Sequence, residues 1–253
     1  MNRFLLTLVA ALASVVLTVV PLLARINLFD PWYPGIDSHI GPLYSYRSTI
    51  GLIRGERLIE LPVSMTCVSQ PRIEVGGRWG LRSFAGNTGI NDLQLGMKYQ
   101  FVEETAEQPF VIGEAGIVLP TADADHGLGA GAVGLLLNWA LQKNIDILTG
   151  YFGLGVQVNS ENANRDKPEN VFFYRIGASY PYREPWRLYG EFKGFNHGIA
   201  RIKGVDVGES YQELYLAPGA SYVYDNRTLL SAALLIGLTP ESQRIGLLIS
   251  TMF

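Results

Sequence analysis

Residues 91–102 read NDLQLGMKYQFV, and the stretch alternates at period two. Leu93, Leu95, Met97, Tyr99 and Phe101 fall on one side, while Asp92, Gln94, Gly96, Lys98 and Gln100 fall on the other. A helix would scatter both sets round its circumference; a strand sends successive side chains to opposite faces and keeps the sets apart. Residues 72–82 repeat the pattern. Ile73, Val75, Trp79 and Leu81 share an oily face, and Arg72, Glu74, Arg78 and Arg82 share a charged one.

Outward from these two stretches, the same period marks twelve candidate strands. They fall at 43–53, 58–68, 71–82, 91–102, 109–119, 130–142, 145–158, 170–181, 185–196, 211–223, 227–238 and 243–253. The segments 43–53, 130–142 and 227–238 alternate less cleanly, so ten strands is the alternative count. Many are long enough to cross a bilayer at a tilt, which takes roughly 9–11 residues. A soluble sandwich would bury the oily faces against each other. A membrane barrel turns them to lipid and keeps a polar lumen. Full charges in mid-strand favour the barrel. So does the asymmetry of the connections: 103–108, 143–144, 182–184 and 224–226 are short, whereas 83–90, 120–129, 159–169 and 197–210 are longer and polar or Gly-rich. In lipid an open sheet edge would leave backbone groups unpaired, so the sheet must close. The expected fold is all-β: a closed antiparallel transmembrane β-barrel of about twelve strands over residues 43–253.

Residues 1–24, MNRFLLTLVAALASVVLTVVPLLA, carry one charge, Arg3, ahead of an apolar run. They read as a cleaved signal peptide, with a signal anchor as the alternative because the run could span a bilayer. Ala11-Leu12-Ala13 fits the cleavage rule, and Ala24 fits the length better. Residues 25–42 hold three prolines and no period, and read as an irregular periplasmic lead-in. The chain ends GLLISTMF, with Phe253 in phase with Leu247 and Ile249. A terminal aromatic on an amphipathic last strand resembles the signal recognised by the outer-membrane barrel assembly machinery. Tyr99, Trp139, Tyr180, Tyr182, Trp186, Tyr222 and Tyr224 lie towards strand ends, where interfacial aromatics belong.

Composition bounds the function. The chain has 253 residues, 48% hydrophobic and 17% charged, with net charge −3. That is too apolar for disorder and lacks the basic excess of a nucleic-acid binder. The single cysteine, Cys67, forms no disulfide framework and no Cys-cluster metal site.

Three stretches in order carry a resemblance to a known family: INDLQLGMKYQFVEE, then FVIGEAGIVLPTADAD with GLGAG, then LLNWALQKNIDILTGYFGLGV. They resemble the outer-membrane transporters associated with a meta-pathway of phenol degradation, over residues 58–253. In that family a G-D-L-x-L-G-x-K-Y strand precedes an L-P-T-G-D loop. Here Asn91-Asp92 stands for Gly-Asp, and Pro120-Thr121-Ala122-Asp123 for Pro-Thr-Gly-Asp. The resemblance implies a barrel in the bacterial outer membrane, surrounded by its lipid, that passes small compounds, aromatic ones among them.

The polar phase assigns a lumen lining: the acids Glu74, Glu114, Glu191 and Glu213, and the bases Arg72, Arg78, Lys98, Arg175, Lys193 and Arg244. Glu60, Asp92, Arg47, Arg82 and Arg187 share that phase. Such charges either set selectivity or pair across strands and fill a narrow barrel. Gly76, Gly96, Gly116, Gly153, Gly155 and Gly177 are expected to leave room beside them for an apolar solute. The histidines, His39, His126 and His197, are assigned to the lead-in and loops, so a catalytic serine would lack its base. No enzyme activity, cofactor, metal or nucleic-acid partner is expected. The favoured function is a narrow, mixed-charge channel or transporter for small molecules, apolar or aromatic ones included. The alternative is a structural or surface-interaction barrel acting through its extracellular loops. The first expectation is testable on a gel: unboiled protein should migrate differently from boiled protein, and fractionate with the outer membrane.

Overall fold

The computed structural model describes residues 43–53, 56–70, 72–224, 229–242 and 245–252. The expected signal segment 1–24, the lead-in 25–42, Arg244 and Phe253 lie outside the described residues. Fifteen strands and no helix occur among those described. In order they are β1 (Leu43–Ile53), β2 (Glu56–Gln70), β3 (Ile73–Phe84), β4 (Asn87–Ile90), β5 (Leu93–Val102), β6 (Phe110–Leu119), β7 (Gly134–Ile145) and β8 (Leu148–Asn159). They continue with β9 (Val171–Arg183), β10 (Trp186–His197), β11 (Ala200–Ile202), β12 (Val205–Val207), β13 (Tyr211–Val223), β14 (Leu229–Gly237) and β15 (Ile245–Met252).

All pairings are antiparallel, and the long strands pair in sequence order. β1 also pairs with β15, from Ser45↔Met252 to Leu52↔Ile245. Since neighbours run in opposite directions, the connections fall alternately at the two ends of the sheet. One end carries 103–109, 146–147 and 184–185; the other carries 85–92, 120–133, 160–170 and 198–210.

Two expected connections contain strands instead. β3 runs on to Phe84, turns at Ala85 (φ 50°) and Gly86 (φ 86°), and returns as β4. β11 and β12 form a hairpin of their own, turning at Lys203 (φ 51°) and Gly204 (φ 80°). Two successive residues at positive φ make the tight turn whose twist matches that of paired strands. The expected turn at 143–144 lies instead at 146–147, where Asp146 takes a φ of 52°. Lys143 and Asn144 remain in β7 because Lys143 Nζ donates to the Ala106 carbonyl at 3.0 Å, and Asn144 Nδ2 donates to Glu104 Oε2 at 2.8 Å. At its other end β7 begins at Gly134 rather than 130.

The faces are inverted relative to a soluble sheet. Along β5, Leu95, Met97, Tyr99 and Phe101 are exposed, while Lys98 and Gln100 between them are buried. β7 shows the same inversion, with Leu135, Leu137, Trp139 and Leu141 outside and Asn138 and Gln142 buried. Among the described residues no second layer covers the buried face. Exposed aromatics gather towards the short-connection end: Phe101 stacks on Trp139 at 4.8 Å, and Trp186 meets Tyr222 edge-on at 4.9 Å.

The gaps expected beside three glycines of the buried face are filled. The Phe173 ring lies over Gly155, Tyr151 over Gly177, and the Arg175 side chain over Gly153. Each pair is directly cross-strand in register. A glycine there removes the Cβ that would otherwise block the neighbour's large side chain from lying flat across the strand.

Leu95 is 42% exposed on the apolar face, whereas Gln94 turns to the polar face. Leu95→Arg should therefore reduce the heat-modifiable, folded fraction far more than Gln94→Arg. A charge facing lipid near the midplane costs about 2–4 kcal/mol. Equal tolerance at both positions would contradict this assignment of faces.

Candidate functional site

The register sets cross-strand neighbours on the buried face in a row: Glu74 opposite Lys98, Lys98 opposite Glu114, and Glu114 opposite Asn138. Opposite charges placed directly across strands attract. Lys98 Nζ stands 3.5 Å from Glu74 Oε1 and 3.5 Å from Glu114 Oε1, and Asn138 Nδ2 donates to Glu114 Oε2 at 2.7 Å. Lys98 is only 2% exposed. On β10, Glu191 and Lys193 share a face two residues apart, and their Oε1 and Nζ lie 3.0 Å apart with both side chains fully enclosed. Arg175, opposite Lys193 in register, is buried with them.

Beside these ions lies an apolar cluster that the polar phase did not anticipate. Phe173 and Phe195 approach to 6.5 Å between ring centres, and Phe195 meets Tyr215 edge-on at 6.1 Å. Leu136, Ala217, Ala233, Leu235 and Leu248 complete it. A second, smaller group joins Phe110, Ile112, Ala140 and Tyr151.

Towards the long connections the interior widens into a vestibule of about 930 Å³. That is within the ~300–1,000 Å³ range of small-molecule pockets. Its wall includes Glu60, Arg78, Arg82, Gln94, Gln157 and Asn159, with Val118 and Val171 as apolar members. Arg82 Nε lies 3.5 Å from Glu60 Oε1. The loop that links β6 to β7 supplies another part of the wall, from Ala122 to Gly131.

Seven of the ten sequence-assigned charges are thus buried on one face: Glu74, Arg78, Lys98, Glu114, Arg175, Glu191 and Lys193. Glu213 is partly buried near the long connections, where its Oε2 accepts the Tyr215 hydroxyl at 2.8 Å. Arg72 is exposed in the turn before β3 and does not join the others, because the strand begins one residue later. Asp92 lies on the vestibule wall, where its carboxylate accepts two backbone N–H groups from the loop that links β6 to β7.

His197, assigned to a loop by sequence, is the last residue of β10 and largely buried. Its ring stacks on Tyr211 at 4.3 Å. Nδ1 lies 3.1 Å from Glu169 Oε1 and Nε2 lies 4.0 Å from Glu213 Oε2. The signal was its phase: His197 continues the inward series Glu191, Lys193, Phe195. His126 does sit in a loop, with Nδ1 2.7 Å from Asp123 Oδ2. That hydrogen bond holds the Asp123 carboxyl below its ordinary range.

Removing one member of a buried ionic group strands the rest. Lys98→Met should cost about 3–5 kcal/mol in folded-state stability, read by denaturant unfolding in detergent. Adding Glu74→Gln and Glu114→Gln to the same chain should recover much of the loss.

Comparison with known proteins follows the same lines. The model of the family described as "Putative MetA-pathway of phenol degradation" matches residues 68–251. Among solved structures, an outer-membrane channel from Pseudomonas putida F1 is similar with a TM-score of 0.67 at 13% identity, covering 90% of this chain and 99% of that one. The NanC porin is similar with a TM-score of 0.53 at 10% identity, covering 83% of this chain and 98% of that one. At these identities the likeness is one of fold, that of outer-membrane β-barrels. No curated protein matches the chain. With the model spanning β3 to β15 and the motif residues in place, this chain belongs to the MetA-pathway of phenol degradation family.

Proposed function

We propose that this protein is a closed barrel of twelve strands in the bacterial outer membrane that passes small molecules slowly through a narrow, mixed-charge lumen. Closure is supported by the pairing of β1 with both β2 and β15. In this reading residues 1–24 direct export and are removed, residues 25–42 lie on the periplasmic side, and Phe253 is recognised by the assembly machinery. The short connections then face the periplasm and the long ones the exterior, and the exposed apolar face meets lipid.

The observation that carries the function is the sequence of environments along the interior. A polar vestibule among the long connections gives way to enclosed ion pairs, Glu74–Lys98–Glu114 and Glu191–Lys193, flanked by packed aromatic rings. Lumen width grows with strand number, and twelve strands enclose less than the 16–18 of general porins. Long buried side chains narrow it further. The family's link to phenol degradation supports an aromatic permeant. The vestibule's carboxylates, amides and guanidinium groups favour one that carries a polar substituent. A wholly apolar solute is less well served, because the spaces beside Gly153, Gly155 and Gly177 are occupied. The chemistry proposed is passage, not catalysis.

Planar-bilayer recording of the unmodified protein should show small or no steady conductance. Replacing Glu191 and Arg175 together by Ala should raise uptake of a small aromatic acid such as benzoate into liposomes. Large porin-like conductance from the native chain would overturn the narrow-lumen reading, and unchanged uptake in the double variant would remove these two residues from the constriction.

A further inference from the structure

The two stretches that carry the family motif stand apart in sequence and are joined in space. Asp92 Oδ1 accepts the N–H of Ala122, thirty residues away, at 3.0 Å, and Oδ2 accepts the N–H of Ala130 at 2.7 Å. One carboxylate therefore grips the loop between β6 and β7 at both ends of its 122–130 segment. The neighbouring Leu93 N–H donates to Thr121 Oγ1 at 2.9 Å, which ties the start of the same loop to the start of β5. Gly129 packs against the carboxylate so closely that a Cβ there would stand 2.5 Å from Asp92 Oδ1 and 2.6 Å from the Ala122 Cβ. Leu128, although in a loop, is 4% exposed. A Cβ on Gly89 of β4 would come within 2.7 Å of its Cδ1, so the loop leans on the β3–β4 hairpin.

The gripped segment is also part of the vestibule wall. We propose that Asp92 is a latch: its carboxylate holds the 122–130 loop folded at the vestibule mouth, and the held loop sets the size of what can enter. The acidic side chain suits the task. An ionised carboxylate has two acceptor oxygens, one for each N–H, whereas an asparagine would offer one and turn a donor towards the other. Asp92 is thus a positioning residue that acts through the loop. The motif aspartate and the motif Pro-Thr loop become two halves of one clasp. The size-setting half rests on the proposed permeation route; the latch itself does not.

Hydrogen exchange on the full-length protein in detergent micelles reads the latch without transport. Asp92→Ala should speed exchange of the Ala122 and Ala130 amides roughly tenfold or more, since hydrogen bonds to charged groups are among the stronger ones. Gly129→Ala should do the same from the opposite side of the contact, with the carboxylate still present, and retained heat-modifiable migration shows that each variant is folded. Liposome swelling in neutral sugars from a pentose to a disaccharide reads the mouth. Both variants should admit the disaccharide several-fold faster than the native chain. Unchanged exchange in both variants would overturn the latch. Faster exchange with an unchanged size limit, in liposomes where the native protein admits the pentose, would overturn the role of the loop in setting size. Absence of swelling with every sugar and every variant would overturn the permeation reading, while the exchange result still decides the latch.

Discussion

The antiparallel ladder between neighbouring strands is the interaction on which everything else in this molecule depends. Each long strand is hydrogen-bonded on both sides, so its backbone groups are satisfied without a second layer. The ladder also fixes register, and at period two a slip of one residue would exchange the two faces of a strand. Because register holds, Glu74, Lys98, Glu114 and Asn138 meet across four separate strands. The same constraint places Leu95, Met97, Tyr99 and Phe101 together on the outside.

Within that frame the interior is not a uniform polar lining. It is a mosaic of ion pairs, glycines and aromatic rings. The glycines act as complements to bulk. Where Phe173, Tyr151 and Arg175 cross a neighbouring strand, the residue beneath is Gly155, Gly177 or Gly153. Outside the buried face the same device recurs, with Tyr174 lying over Gly194. A high glycine content therefore does not mean an empty lumen. It lets large side chains lie flat, and the buried face can then enclose charges such as Lys193 and Glu191 away from water while keeping them paired.

Beyond the β3–β4 and β11–β12 hairpins, the long-connection end is ordered by side-chain-to-backbone hydrogen bonds. Asp92 grips one loop, Asn159 and Asn170 brace the next, and Ser242 bonds Leu214 N–H and C=O. These residues are short and polar, the types that satisfy loop backbone locally. The vestibule owes its shape to them as much as to the strands.

The long strands were legible in the sequence because alternation is a local property, set by the half of each strand that meets water or charge. It was faint at 227–238 for a reason that only packing reveals. There the inward residues Ala233 and Leu235 are apolar too, buried with Tyr215 and Phe195, so both faces look alike in sequence. The β3–β4 and β11–β12 hairpins were not legible, since Ala85-Gly86 and Lys203-Gly204 lack the Asn or Asp that usually signals such turns. Of the candidate site, the phase of a residue fixed its face: seven of the assigned charges are buried on one side of the sheet. Phase could not say which charges pair, that Arg72 stops short of the strand, or that His197 is held between Glu169 and Glu213. Those depend on contacts between strands and loops far apart in the chain. The role of Asp92 is the clearest case: the sequence placed it on the polar face, but its two partners lie in a loop thirty or more residues away. The sequence by itself determined the alternation and hence the faces, because each strand's period is written in consecutive residues. The tertiary structure alone decided what fills the interior, because that follows from which side chains the register and the loops bring into contact.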